Sequence, residues 1–115
     1  MAELERFAEF ALINRLTRGL QRHPDQINKT HCSDAELIRQ PDGSLLAVTV
    51  DTLHEEYAMG LIRDPRTVGW SVVAHSLSDL AAVAADPIGV LLALTFPRDA
   101  TENWTQQFFA GAQEA

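Results

Sequence analysis

Leu77-Ser78-Asp79-Leu80-Ala81-Ala82 sets one carboxylate inside an otherwise apolar run of Val, Leu and Ala. Val73, Leu77, Leu80 and Ala84 fall on one stripe at three- and four-residue spacing. The spacing predicts a helix from about Arg66 to about Ala85, stopped by Pro87. Aspartate is a mediocre helix former, so Asp79 asks for a reason. By spacing it lies opposite the stripe, with His75 and Ser76, where a solvated outer face accounts for it. The small residues Ala81, Ala82 and Ala85 around it leave a second account open, the close approach of another helix or of a ligand.

Upstream of this helix, Pro41-Asp42-Gly43-Ser44 is a turn, because proline presets one dihedral and glycine tolerates positive φ. It separates two candidate strands, Ala35 to Arg39 and Leu45 to Val50, in a hairpin that ends at Asp51. The second is largely apolar, as expected of a strand covered on both faces. Val90 to Phe96 reads as a third, wholly apolar strand ended by Pro97. Asp99, with Glu102 three residues on, marks a last helix start, with Trp104, Phe108 and Ala112 facing inward. The chain opens with a helix, roughly Glu3 to Leu20, carrying Phe10, Ile13, Leu16 and Leu20 on one stripe and Gly19 near its end. Gln21 to Ser33 reads as a loop, and His54 to Pro65 as a looser connection. The order α-β-β-α-β-α predicts an α+β fold in which a small mixed or antiparallel sheet carries helices on one face.

The 115 residues suit one domain, and the 46% hydrophobic content allows a core without disulfide or metal staples. Cys32 is the single cysteine, so no intrachain disulfide forms and a reducing compartment is the simple reading. The net charge of -7 repels phosphate backbones and excludes nucleic acid as the natural partner. No apolar run approaches the roughly twenty residues that span a bilayer. Glu3 and Glu5 stand where a secretory signal carries basic residues. A soluble, cytoplasmic protein is expected.

Three carboxylates stand out by position: Asp34 before the first strand, Asp51 after the second, and Asp79 in the long helix. Strand ends gather polar groups without disturbing a core, and Mg²⁺ takes one or two carboxylates plus phosphate and water oxygens. Asp34 and Asp51 read equally well as turn or cap residues. His23, His31, His54 and His75 show no metal-ligand spacing. His31 beside Cys32 suggests a base and nucleophile, but adjacent side chains rarely face each other and no orienting group is indicated. There is no P-loop and no G-x-G-x-x-G, so any nucleotide is held without a Gly-rich capping loop.

An ordered set of segments resembles a known family. Glu9-Phe10-Ala11-Leu12-Ile13 followed by Arg15-Leu16 resembles the opening helix of thiamine-monophosphate kinases. Leu46 to Leu53 resembles their strand ending in T-D-T-L. Val68-Gly69-Trp70, Leu77 to Ala82 and Ala85-Asp86-Pro87 resemble the helix bearing N-L-S-D-L-A-A-M-G-A-x-P. Leu92 to Pro97 and Trp104 to Gly111 resemble the next strand and helix. The chain thus resembles the N-terminal domain of the thiamine-monophosphate kinase and aminoimidazole ribonucleotide synthetase family. The resemblance implies a single ATP-binding domain over 1–115 whose sheet pairs with a second copy in a homodimer. It implies Asp34, Asp51 and Asp79 as ligands of Mg²⁺ around ATP phosphates, and Thr49, Thr52 and Ser78 as further contacts of the bound nucleotide. Its kinase members pass the γ-phosphoryl of ATP to thiamine monophosphate, work done chiefly by positioning and charge neutralisation.

The chain departs from that pattern in four places, one of them Val50, which stands where a threonine often precedes the strand-end aspartate. The family's G-x-G-D-D-A loop is matched by His31-Cys32-Ser33-Asp34-Ala35, with Ser33 for the first aspartate and both glycines gone. The histidine and phenylalanine that follow T-D-T-L are matched by Ala58 and Met59. The family also continues into a G-G-D-T segment and a second domain beyond the position of Ala115. The expectation is a kinase-like domain not active alone, completed by a separately encoded C-terminal-type domain. The alternative is a non-catalytic dimeric binding or regulatory module of kinase ancestry.

Overall fold

The computed structural model describes residues 2–29 and 32–115, with side chains from residue 8. Its elements are α1 (Ala2–Thr17), β1 (Glu36–Arg39), β2 (Leu45–Val48), α2 (His54–Ala58), α3 (Pro65–Ala82) and α4 (Glu102–Glu114). The α+β class holds. No described helix is long and apolar enough to cross a membrane.

The hairpin forms as its turn dictates. β1 and β2 run antiparallel, from Glu36 opposite Val48 to Arg39 opposite Leu45. Gly43 takes φ 85°, and the Gln40 amide donates to the Ser44 carbonyl at 2.8 Å. The Asp42 carboxylate accepts from the Ser44 amide and hydroxyl, which holds its pKa below the usual carboxylate value. Part of the segment Gln21 to Ser33 is more than a loop, since it lies along the outer edge of β1. Gln26 bridges Ile38, the Ile27 amide donates to the Leu37 carbonyl at 3.0 Å, and the Arg39 amide donates to the Asp25 carbonyl at 2.8 Å. The Asn28 side chain extends this edge, accepting from the Leu37 amide at 2.9 Å.

α3 begins at Pro65, a residue suited to the first helical position. Asp64 caps it by accepting from the Thr67 amide and hydroxyl, each at 2.8 Å, and these bonds lower the Asp64 pKa. The helix ends at Ala82, short of the predicted Ala85, and Pro87 is not what stops it. The Ala84 amide donates to the Ala81 carbonyl and the Ala85 amide to the Leu80 carbonyl, while Ala84 takes φ 55°. This is a Schellman stop, a conformation that glycine adopts without strain. Ala84→Gly is therefore expected to stabilise the chain by about 1 kcal/mol, seen as a raised urea midpoint with unchanged slope. A lowered midpoint would refute the strain.

α4 packs across α3. Thr101, not Asp99, caps it, its hydroxyl accepting from the Trp104 amide at 3.1 Å. Phe108 is buried and Trp104 half-buried, as predicted. Phe108 joins Leu53 and Val68 in the core, with Tyr57, Phe96 and Trp104 packed around them. The missed α2 supplies Tyr57, whose ring meets Trp104 edge-on at 6.5 Å between centroids. At the end of the crossing, Arg66 grips both Glu114 oxygens, raising the Arg66 pKa and lowering that of Glu114. Asp42, Asp64 and Glu114 all have folded pKa values below their unfolded ones. Each therefore favours the fold above about pH 4 and loses that contribution as the pH falls through the folded value.

Three expectations fail. Among the described residues the predicted strand Val90 to Phe96 pairs with none, and the sheet holds β1 and β2. An open cleft separates the segment from β2, so no ladder can close across it. The three predicted helices follow in order with the short α2 added before α3, but helices do not cover the sheet as a layer. The apolar stripe read on α1 is largely on the surface, with Phe10, Leu16 and the following Leu20 all exposed. The radius of gyration, 17.1 Å, exceeds the roughly 13 Å of a compact chain of this length.

Candidate functional site

The exit of β2 runs along one face of α3. His75 and Asp79 stand four residues apart on that helix, hence one above the other. Asp79 Oδ2 accepts a hydrogen bond from the Thr49 hydroxyl at 2.7 Å. His75 Nδ1 lies 3.7 Å from Asp51 Oδ2. The Asp51 carboxylate also accepts from the Thr52 amide at 2.7 Å, the turn role that position alone had suggested. Two strand-exit residues thus meet two residues of α3 along one seam.

The outer-face account of Asp79 is therefore corrected. Asp79 and His75 are half-buried, and Asp79 is tied to the strand rather than solvated. The physical cause is that the β2 exit covers the helix face opposite the apolar stripe. Asp34 reaches the same place by its backbone: its carbonyl oxygen is 3.2 Å from the Thr49 hydroxyl. As a single donor, that hydroxyl serves the shorter bond to Asp79. Asp34 and Ser78 are exposed residues. Among the described residues no three histidine, cysteine or acidic side chains stand together as a metal cage. Sequence reasoning gave His75 only as a neighbour on the solvated face. Its four-residue offset from Asp79 was the available signal. His31 lies outside the described residues, and Cys32 is exposed.

A cleft of about 290 Å³ opens beside Asp51. Asp51, Thr52 and His54 contribute polar groups, and Tyr57, Trp104 and Phe108 contribute aromatic walls. Leu53, buried directly after Thr52, anchors this polar stretch to the core. The donor set along the seam is oxygen-rich: two carboxylates, a hydroxyl and a backbone carbonyl. Hard cations such as Mg²⁺ prefer such donors, and need only one or two carboxylates when phosphates and water complete the shell.

Residues 32–115 match the family model of the AIR synthase related protein, N-terminal domain. The thiamine-monophosphate kinase of Synechococcus elongatus is 39% identical over 79 residues, covering 68% of this chain and 24% of that protein. Those of Haemophilus influenzae and Escherichia coli are 36% and 34% identical over 100 residues, covering 87% of this chain and 30% of each relative. The chain thus spans less than a third of the length of these relatives. No solved structure is significantly similar to it. The Thr49-Val50-Asp51-Thr52 exit and the Ser78-Asp79 turn of α3, brought together as one seam, lie within the matched region, and the chain belongs to the AIR synthase related family as its N-terminal domain.

Proposed function

We propose that the chain is an ATP- and Mg²⁺-binding domain of thiamine-monophosphate kinase type, which transfers a phosphoryl group only when a partner domain completes the substrate site. The observation that carries this is the seam itself: Asp51 and Asp79 on adjoining elements, with Thr49 fixing one of them. Asp51 and Asp79 would hold Mg²⁺, with Asp34 contributing from the hairpin entry and Thr52 and Ser78 lining the phosphate path. The metal supplies neutralisation of phosphate charge, without which an acidic seam repels ATP. The chain's own work is positional. Thr49 orients the Asp79 carboxylate, and Leu53 holds the strand exit against the core. Cytoplasmic residence and a homodimer belong to the same reading; exposed Val48 and Val50 at the sheet edge support the dimer.

A second reading, a non-catalytic binding or regulatory module, is favoured by one observation. Ser33 replaces the first aspartate of the family's acidic loop, and the Asp34 residue beside it is exposed. Calorimetric titration of the chain with ATP and Mg²⁺ separates the two. Metal-dependent binding is expected, weakened about tenfold or more by Asp51→Asn and by Asp79→Asn. Thr49→Val, which frees Asp79, is expected to weaken it by about 10- to 100-fold, the range found when a ligand loses its supporting hydrogen bond. Absence of Mg²⁺-dependent ATP binding in the native chain sinks the nucleotide reading and leaves the second.

A further inference from the structure

Two histidines of the described chain face aspartates, and the two pairs differ in kind. His23 and Asp25 are exposed neighbours in one turn, where the His23 ring also accepts from the Asp25 amide. Sequence proximity accounts for that contact. His75 and Asp51 come from α3 and from the exit of β2, so only the fold brings them together. Their Nδ1 and Oδ2 atoms stand 3.7 Å apart, too far for a hydrogen bond. The imidazole makes no other polar contact among the described residues. Asp51 commits its other oxygen, Oδ1, to the Thr52 amide. Asp79, one helical turn beyond His75 on the same face, commits Oδ2 to the Thr49 hydroxyl. Its Oδ1 makes no hydrogen bond among the described residues. Three uncommitted donor atoms, one nitrogen and two oxygens, are therefore left along one seam. Two neighbouring ligands of an octahedral ion, each bonded at about 2.1 Å, stand about 3 Å apart. Asp51 and His75 have under about 1 Å to close before they can share a cation.

We infer that His75 is a metal ligand beside Asp51 and Asp79, and that its nitrogen makes the seam prefer a first-row divalent transition ion, Mn²⁺ for example, to Mg²⁺. The inference rests on the reading of the seam as a metal–nucleotide site, and it specifies the metal. Mg²⁺ is a hard ion that takes oxygen ligands and keeps much of its water. Imidazole suits the transition ions, and their affinity for mixed nitrogen and oxygen sites rises along the first row from Mn²⁺. A site of carboxylates alone gives no such advantage. No closed cage stands among the described residues, so phosphate and water oxygens complete the shell. His54 lines the cleft beside Asp51, but neither an ion pair nor a hydrogen bond joins it to that carboxylate. The geometry singles out His75.

The probe is Mn²⁺ with inorganic tripolyphosphate, which supplies phosphate oxygens and contains no nitrogen. Pulsed electron paramagnetic resonance of the bound ion is expected to show coupling to one imidazole ¹⁴N nucleus. His75→Gln is expected to remove that coupling and to weaken Mn²⁺ about tenfold or more. Mg²⁺ affinity, read by competition, should change by less than about twofold, because glutamine still offers an oxygen. A merely structural histidine would lower both affinities together. Should His75→Gln lose its circular dichroism, the assignment is made by elimination in folded protein. The coupling must then survive His23→Gln, His31→Gln and His54→Gln, and must change when histidine is labelled with ¹⁵N. An ion surrounded by oxygen alone overturns the inference. So does coupling lost with any of the other three histidines, an equal fall of both affinities in His75→Gln, or no binding of Mn²⁺. Mg²⁺-dependent ATP binding is titrated separately. If it persists while bound Mn²⁺ shows no nitrogen, the inference falls and the nucleotide reading stands. If it is absent while the His75 nitrogen is seen, the nucleotide reading falls and the metal site stands.

Discussion

Gly69→Ala and Gly111→Ala are each expected to lower stability by about 3 kcal/mol, the upper end of the usual cost of overpacking. A Cβ at Gly69 would lie 1.8 Å from the Phe108 carbonyl oxygen, and one at Gly111 would lie 1.8 Å from the Arg66 carbonyl oxygen. The contacts are reciprocal: each helix brings a glycine to the other's backbone. A clashing side-chain tip can rotate away, but a helix carbonyl moves only with its helix, so the crossing of α3 and α4 must open. Alanine is the better helix former by about 1 kcal/mol, and in an exposed helix that gain would decide the sign. Here the clash outweighs it. Opening the crossing also strips Phe108 from Val68 and separates Arg66 from Glu114. Urea unfolding followed by circular dichroism measures the effect, with Gly19→Ala as the control, since a Cβ there meets nothing within 4 Å. A midpoint for Gly111→Ala equal to that of the control would show that the helices do not cross at backbone distance.

This crossing marks one limit of what the sequence makes legible. Periodicity located α3 and α4 because each repeats apolar residues at helical spacing, although of the predicted α3 stripe only Val73 is buried, and turn chemistry located the hairpin because Pro41, Asp42 and Gly43 act locally. The same rules are blind to Gly69 and Gly111, whose role exists only once two distant segments meet. The 25–28 edge was missed for a related reason. Its pairing depends on Asn28 and the Ile27 amide meeting β1, and its composition is that of a loop. Val90 to Phe96 shows the opposite failure. Its composition is that of a buried strand, yet a strand is defined by its neighbour, and the described chain provides none on either side. For the site, spacing placed Asp51 at a strand end correctly. It set Asp79 on a solvated face because helical periodicity does not know that a strand exit lies across that face. The family resemblance, which sees residues in order without needing their contacts, linked Thr49, Asp51 and Asp79 where spacing could not.

Phe108→Ala is expected to destabilise the chain by about 3 kcal/mol, the lower end of the range for a buried phenylalanine cut to alanine. Phe108 is 3% exposed and central to the aromatic cluster. It stacks on Trp104 at 5.8 Å and meets Phe96 and Phe109 edge-on at 5.3 and 5.4 Å. The lower figure applies because Phe108 borders the cleft beside Asp51, so the vacated space joins solvent rather than remaining a closed void. Few of the described side chains are buried, so a loss of this size is a large share of a domain's net stability, which is about 5–15 kcal/mol. Phe108→Leu keeps most of the apolar volume and is expected to cost no more than about 1.5 kcal/mol. The pair of variants also separates core from site. Leu53 is packed in the same cluster and fixes the two residues before it, Asp51 and Thr52. If that anchor positions Asp51, Phe108→Leu should weaken Mg²⁺-dependent ATP binding at a temperature where the variant is still fully folded by circular dichroism. Unchanged affinity in the folded variant would show that the contact between Asp51 and His75 and the hydrogen bond from the Thr52 amide hold the carboxylate in place without help from the core.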